Sequence, residues 1–416
     1  MMKKCGGCAR LSGKSETVEN RGTFARPLSS AGGEEMDTEK RIWHYLFLIV
    51  IALTTGYTFL LRSAGYDESG KPKTAEIPMR IVGENMAGDY ALFRLLEEGT
   101  KPQEAYRREN VSAFVADRMK VDGRFVSFAN PVKAFLAVPF LTLPYSAFFD
   151  TFLLWGMFAF GAALYAMFPL RQSLLLMFAF PVAFLNFTLG GWGVFVTAFA
   201  LLALALADEF PKRAGMFCAL CLMEPIVFAG VLAAYVLRKQ KKAAVSAVCC
   251  AAFLTLCALA RYGAGAFGAA FGAAVRALTE RPCTFSSVAG ILMCGGMSVG
   301  LAVAVQTAIA AGALFAAYRL LVNDKCAPAV QDACLCGALC FVSPFFYLSD
   351  YALLYAGIAF LIKDSLRRGL LKGDGWMLAA AFASIYLEGI VAPRVGAPFQ
   401  MILAAWLVFA AFRRRF

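Results

Sequence analysis

Apolar runs of about 17–25 residues recur along this chain, and they constrain its fold more than any other feature of the sequence. A helix of that length crosses a hydrocarbon core of about 30 Å. The composition agrees, because 60% of the 416 residues are hydrophobic and 16% are charged, against roughly 25% in soluble domains. We therefore predict an all-α polytopic membrane protein.

The basic residues give the predicted orientation of the chain in the membrane. They punctuate the apolar runs instead of forming one patch, so the net charge of +12 does not indicate nucleic acid as a partner. Residues 1–42 carry eight Lys and Arg, and we expect them to form a disordered cytoplasmic tail. A first span over 43–61 then leads to an external loop over 62–130.

The remainder completes one membrane domain over residues 43–416, with an interfacial helix over 131–139. We expect about twelve membrane-spanning or half-spanning helices and a cytoplasmic C-terminus, in a bacterial inner (cell) membrane. After the first, the predicted full spans cover 145–168, 172–187, 192–207, 243–260, 296–318, 328–347, 350–362, 376–391 and 397–412.

Residues 214–237 allow two interpretations. Glu224-Pro225 splits the segment into two half-length apolar runs, and both of its flanks are basic. The runs are either a pair of short helices that dip into the membrane and return, or one span kinked at Pro225.

Several kinds of chemistry lack their usual motifs. The sequence lacks the Gly-x-x-x-x-Gly-Lys-Ser/Thr phosphate-binding loop, so it does not encode an ATP-driven motor. It also lacks an Asp-x-Asp pair, which commonly holds a nucleotide sugar through a divalent metal. The one histidine, His44, is expected at the inner end of the first span. Most of the thirteen cysteines lie in apolar runs, where they act as small hydrophobic residues, and the Cys5/Cys8 pair lies in the tail. We expect no metal and no cofactor.

The external loop contains the stretch GENMAGDYALFRLLEEG, residues 83–99. Its apolar positions from Tyr90 onward form a stripe typical of an amphipathic helix, and Gly99 is placed to end that helix. Asp89 stands where the run opens. It is therefore either the N-cap of this helix, a functional carboxylate, or both.

At these residues the chain resembles glycosyltransferase family 87. The resemblance covers roughly residues 43–365 and depends on the order of several short motifs. These motifs are Gly88-Asp89-Tyr90, Leu95-Leu96-Glu97-Glu98-Gly99, Tyr106, Phe128-Ala129-Asn130-Pro131, Phe140 to Pro144, Leu154-Trp155, Asn186 to Gly193, Ser343-Pro344 and Asp350-Tyr351.

The resemblance implies a GT-C fold and transfer of a hexose, mannose above all, from a polyprenyl-phosphate sugar. It places the reaction on the external face, with inversion at the anomeric carbon and a glycolipid or glycan hydroxyl as acceptor. It implies Asp89 as the catalytic base, and Asp350 matches a second acid. Candidate donor-phosphate ligands on the predicted outer side are Arg261, Arg276, Arg281, Arg394 and Lys133. Candidate acceptor or sugar ligands are Tyr90, Asn130, Trp192 and Glu388.

Three departures from the family pattern keep other functions open. This chain has Trp192, Glu224 and Phe345 where members of the family often carry Gln, Lys and His. The alternatives are a transporter or flippase for a lipid or polyol, and a membrane scaffold without catalysis. A large external loop with interfacial helices favours the transferase, because transporters concentrate polar residues at mid-membrane.

Overall fold

The computed structural model describes residues 84–121, 125–181, 190–391 and 398–414, all within one compact unit, 47–416. Several predictions lie outside these residues: the tail 1–42, the first span 43–61 and Arg394. The side chain of Glu388 lies outside them too.

The described residues form helices and no strand. The helices are α1 (Glu84–Glu97), α2 (Pro102–Ala105), α3 (Arg108–Phe114), α4 (Pro131–Ala137), α5 (Tyr145–Tyr165), α6 (Leu170–Ala179), α7 (Gly193–Ala205), α8 (Pro211–Leu220), α9 (Pro225–Leu237), α10 (Lys241–Tyr262), α11 (Ala264–Glu280), α12 (Val288–Cys294), α13 (Val299–Leu321), α14 (Pro328–Leu339), α15 (Ala352–Arg368), α16 (Asp374–Val391) and α17 (Pro398–Arg413).

Among the residues that the structure describes, three helices, α5, α10 and α13, are long and apolar enough to cross a membrane. They also leave large apolar side chains uncovered, as Phe253 of α10 (65% exposed) and Phe315 of α13 (61%) illustrate. Soluble proteins rarely expose so much contiguous apolar surface, whereas lipid covers it without cost. The prediction of a helical membrane protein is confirmed at this level.

The core of the bundle consists of α7, α14 and α15. Nearly every residue of 330–341 and 352–361 is buried, which is typical of helices that are apolar on all sides. Helix α14 ends at Leu339, although the sequence predicted a span to residue 347. Pro344 explains the difference, because a helix continued through it would place its ring against the carbonyl of Cys340.

Helices α8 and α9 form a hairpin, so the first interpretation of residues 214–237 is correct and the single kinked span is wrong. The hydroxyl of Tyr235, near the end of α9, donates to the carbonyl of Ala214, near the start of α8, at 3.2 Å. The start of α8 and the end of α9 therefore lie side by side, at the end of the hairpin opposite its tip. Its tip consists of a 3₁₀ turn over Cys221–Met223 and the extended residue Glu224.

Helix α17 is fixed at its C-terminal end by buried ion pairs. Arg414 donates to Asp364 on α15 at 2.9 Å and to Asp374 at the start of α16 at 2.7 Å. Arg413 pairs with the same Asp374. These two arginines hold three helices together, a role beyond the orientation signal that their sequence position indicates.

Candidate active site

Asp89 lies inside helix α1, so its interpretation as an N-cap is wrong. The helix already covers Glu84, five residues earlier. The turn before Asp89 is helical because Met86 and Ala87 are buried in the core and Gly88 packs closely on the loop behind it. A β-carbon on Gly88 would lie 2.8 Å from the carbonyl oxygen of Val126, and glycine alone allows this approach.

The other end of α1 follows the sequence prediction. The backbone at Gly99 is left-handed (φ +83°), and the amide of Thr100 donates to the carbonyl of Leu95 at 3.0 Å. This is the usual glycine-dependent C-terminal cap. Its position fixes where the helix ends.

Both carboxylate oxygens of Asp89 accept a hydrogen bond. The hydroxyl of Ser127 donates to Oδ1 at 2.6 Å, and the indole Nε1 of Trp192 donates to Oδ2 at 3.1 Å. Trp192 is itself held by aromatic contacts, with Phe152 at 4.6 Å between ring centroids. The carboxylate therefore has a fixed orientation, which a positioned base requires.

Asp89 lines a cavity of about 410 Å³, which is large enough for a sugar unit. Its walls come from α1, the segment before α4, the Gly191-Trp192 turn, the hairpin tip, α11 and the segment 343–350. Phe267 and Phe271 on α11 form an apolar side of the cavity. Phe271 is 68% exposed, so it lies at the rim.

Asn130 connects α4 to the hairpin tip. Its side-chain oxygen accepts from the amides of Val132 and Lys133 at 3.0 and 3.1 Å, which caps α4. Its amide group donates to the carbonyls of Leu222 and Met223 at 3.1 and 2.7 Å. These two carbonyls lie at the break of the hairpin, where a membrane-embedded backbone needs a partner from the protein.

The side chains of Lys133 and Glu224 form an ion pair across this junction, and both line the cavity. The Lys133 side chain is only 12% exposed. Glu224 was noted in the sequence as a departure from the family pattern and was not predicted as a site residue. A carboxylate between two apolar half-helices is the signal that identifies it, since charges at membrane depth usually face a cavity or a partner.

Asp350 also lines the cavity, just before α15 begins. Its Oδ2 accepts from the amide of Tyr347 at 2.9 Å. Burial and the neighbouring Glu224 carboxylate raise the pKa of Asp350 above its usual range. Burial likewise raises the pKa of Asp89, although the Lys133 charge and the hydrogen bonds from Ser127 and Trp192 oppose that rise.

The cavity brings together only part of the predicted site: Asp89, Asp350, Lys133, Asn130 and Trp192. Tyr90, Arg261, Arg276 and Arg281 are not among the residues that line it. Tyr90 is buried and donates to the carbonyl of Leu143 at 2.9 Å, which packs α1 beside α5. Arg261 forms a two-pronged ion pair with Glu97, so a surface contact occupies its guanidinium.

A disulfide between Cys283 and Cys294 was missed from the sequence, where spacing alone does not distinguish it from the apolar cysteines. It closes the segment 283–294, which packs against the lining residues Phe345 and Tyr347. Phe285 in this segment stacks on Tyr347, a lining residue, at 5.4 Å between ring centroids. The amide of Ser286 donates to the carbonyl of Phe346 at 2.8 Å.

The site is thus an oriented carboxylate at the wall of a cavity with one apolar side, within a helical membrane protein. A comparison with family models gives the particular family. Residues 130–344 match the model of glycosyltransferase family 87, and the chain belongs to that family. It is therefore an enzyme that transfers sugar. Neither a curated protein nor a solved structure matches the chain significantly.

Proposed function

We propose that the protein transfers a hexose, mannose in the first instance, from a polyprenyl-phosphate sugar to a hydroxyl acceptor on the external face of the membrane, with inversion. In this proposal it has a GT-C fold. The observation that supports it most is the Asp89 carboxylate, held by Ser127 and Trp192 at the wall of a sugar-sized cavity.

Asp89 acts as the base in the proposed reaction. It accepts the proton of the acceptor hydroxyl while that oxygen bonds to the anomeric carbon, and the bond from this carbon to the phosphate oxygen breaks. The polyprenyl phosphate leaves with the electron pair of that bond. Phosphate is a good leaving group, so one positioned carboxylate suffices, and such a base is commonly worth about 10²–10⁴-fold.

A lipid-linked donor fits the apolar side of the cavity. The α11 face from Phe267 to Phe271 runs from the cavity wall to an exposed rim, and Ala270 and Ala274 add no polar atom to the lining. An isoprenoid chain can pass along such a surface without losing hydrogen bonds. A soluble nucleotide sugar gains nothing from it.

The test is transfer by the purified protein in lipid vesicles. With a radiolabelled polyprenyl-phosphate mannose on the outside and a glycolipid acceptor, we expect a lipid-linked product of one added hexose. Replacing the donor by the same sugar as a nucleotide diphosphate is expected to give no product. Movement of the lipid across the bilayer without any sugar product would instead support the transporter or flippase.

The Cys283–Cys294 disulfide allows a test of the external location. Disulfides persist in oxidising compartments and are rare in the cytoplasm, so we expect this one on the external side, together with the cavity it supports. In intact cells, a membrane-impermeant reductant should release two thiols that an impermeant maleimide then labels. A Cys283→Ser/Cys294→Ser variant is the control, and labelling only after the cells are opened would contradict the external location.

A further inference from the structure

Lys133 has an unusual position for a phosphate ligand. It is the one Lys or Arg in the described lining of the cavity, and Glu224 already neutralises it. Asn130 caps the helix that carries Lys133 and also binds the hairpin tip that carries Glu224. Both partners of the pair are therefore held in place, and an incoming phosphate would meet a lysine whose charge Glu224 already balances.

The charges around Asp89 do not favour an anion in this cavity. Carboxylates of Glu224 at the hairpin tip and Asp350 before α15 line it too. Neutral polar groups near Asp89 include Ser127, Trp192 and Tyr106, whose hydroxyl donates to the carbonyl of Ala129 at 2.7 Å. The cavity lining adds Asn85, Asn130, Ser343 and Ser349, none of which carries a charge. Lys133 is thus one positive charge among three carboxylates, and the Glu224 carboxylate disfavours ionisation of both Asp89 and Asp350.

We propose that Lys133, held by Glu224, is a positioning residue that keeps the Asp89 carboxylate ionised and ready to accept a proton, and that it does not bind the donor phosphate. The role of Asp89 as a proton acceptor rests on the proposed function. The effect of Lys133 on the ionisation of Asp89 is independent of that function, because it depends only on the groups that surround Asp89.

Trp192 provides a reporter of Asp89 that is independent of sugar transfer. Its indole N–H donates directly to the Asp89 carboxylate, so protonation of that carboxylate changes the environment of the ring. Labelling the five tryptophans with 5-fluorotryptophan gives ¹⁹F signals, and Trp192→Phe identifies the relevant one. Its pH titration should disappear in Asp89→Asn, which confirms the assignment.

Lys133→Gln removes the positive charge, which favours the protonated form of Asp89. We expect the Trp192 signal to titrate at higher pH than in the wild type. Transfer should fall by about fivefold or more at the pH of the wild-type half-maximum. An opposite charge nearby commonly lowers the pKa of a carboxyl group by about 1 or more, and losing it cuts the ionised fraction from one half to about one eleventh. The loss should shrink as the pH rises. Lys133→Arg keeps the charge and should keep the wild-type titration.

Lys133→Gln leaves Glu224 without its partner and can weaken folding. A double variant, Lys133→Met with Glu224→Leu, removes the pair without leaving a lone charge, and it should still move the titration upward.

Two results would overturn the inference: an unchanged Trp192 titration in both Lys133 variants that lack the charge, or a loss of transfer that is equal at every pH and lies in KM for the donor. If the titration moves but no variant or wild type transfers sugar, the proposed function fails and the electrostatic role of Lys133 stands.

Discussion

Replacing Asp89 by Asn is expected to lower the rate of sugar transfer by about 10²–10⁴-fold while the protein remains folded. The amide is nearly the same size as the carboxylate but has no basic oxygen to accept the proton of the acceptor. It still accepts a hydrogen bond from Ser127, although its NH₂ group then faces the N–H of Trp192. This mismatch should cost about 1–3 kcal/mol of stability, which thermal unfolding measures.

Asp117→Asn is the matched control for this substitution. Asp117 forms exposed ion pairs with Arg118 and Lys120, so its loss should change neither transfer nor unfolding by a measurable amount. Full transfer activity in Asp89→Asn would remove Asp89 from the role of base and leave Asp350 as the remaining predicted acid of the cavity.

Gly193→Ala is expected to impair both stability and transfer. The added β-carbon would lie 2.2 Å from the carbonyl oxygen of Ser349 and 3.2 Å from the Cα of Asp350. Both contacts are to backbone, so the start of α7 and the segment with Asp350 have to move apart. Overpacking of this kind typically costs about 1–3 kcal/mol. It also displaces Trp192, and with it the hydrogen bond to Asp89.

Gly312→Ala in the middle of α13 tests whether this effect comes from crowding. No atom lies within 4 Å of a β-carbon at Gly312, and alanine favours a helix interior over glycine by about 0.5–1 kcal/mol. This variant should unfold at the same or a slightly higher temperature with unchanged transfer. Equal behaviour of the two variants would show that Gly193 has no packing role.

The sequence predicted the helices well where one local rule decides the outcome. Apolar length located α5 and α7, and the glycine cap located the end of α1. It could not choose between a hairpin and a kinked span for residues 214–237. That choice depends on the contact from Tyr235 to Ala214, which joins residues 21 positions apart through tertiary packing.

The sequence predicted the acidic residues of the site better than its basic residues. Asp89 and Asp350 stand beside short motifs that the family resemblance makes visible, and both line the cavity. The cations were chosen by predicted side of the membrane alone, which cannot separate Arg261, paired with Glu97, from Lys133 in the cavity wall. Ser127 carries no sequence signal, because its role comes from its closeness to Asp89 in space.

The α8–α9 hairpin also determines on which side of the membrane a reporter enzyme fused to this chain is expected to lie. Since its two ends lie at the same level, a reporter fused before Pro211 and one fused after Leu237 should give the same cellular side. A topology prediction that treats residues 214–237 as a single crossing assigns every later fusion site to the opposite side of the membrane. If alkaline phosphatase is inactive at both fusion sites, both ends of the hairpin lie in the cytoplasm. That result would fix the side of the membrane on which α10 begins.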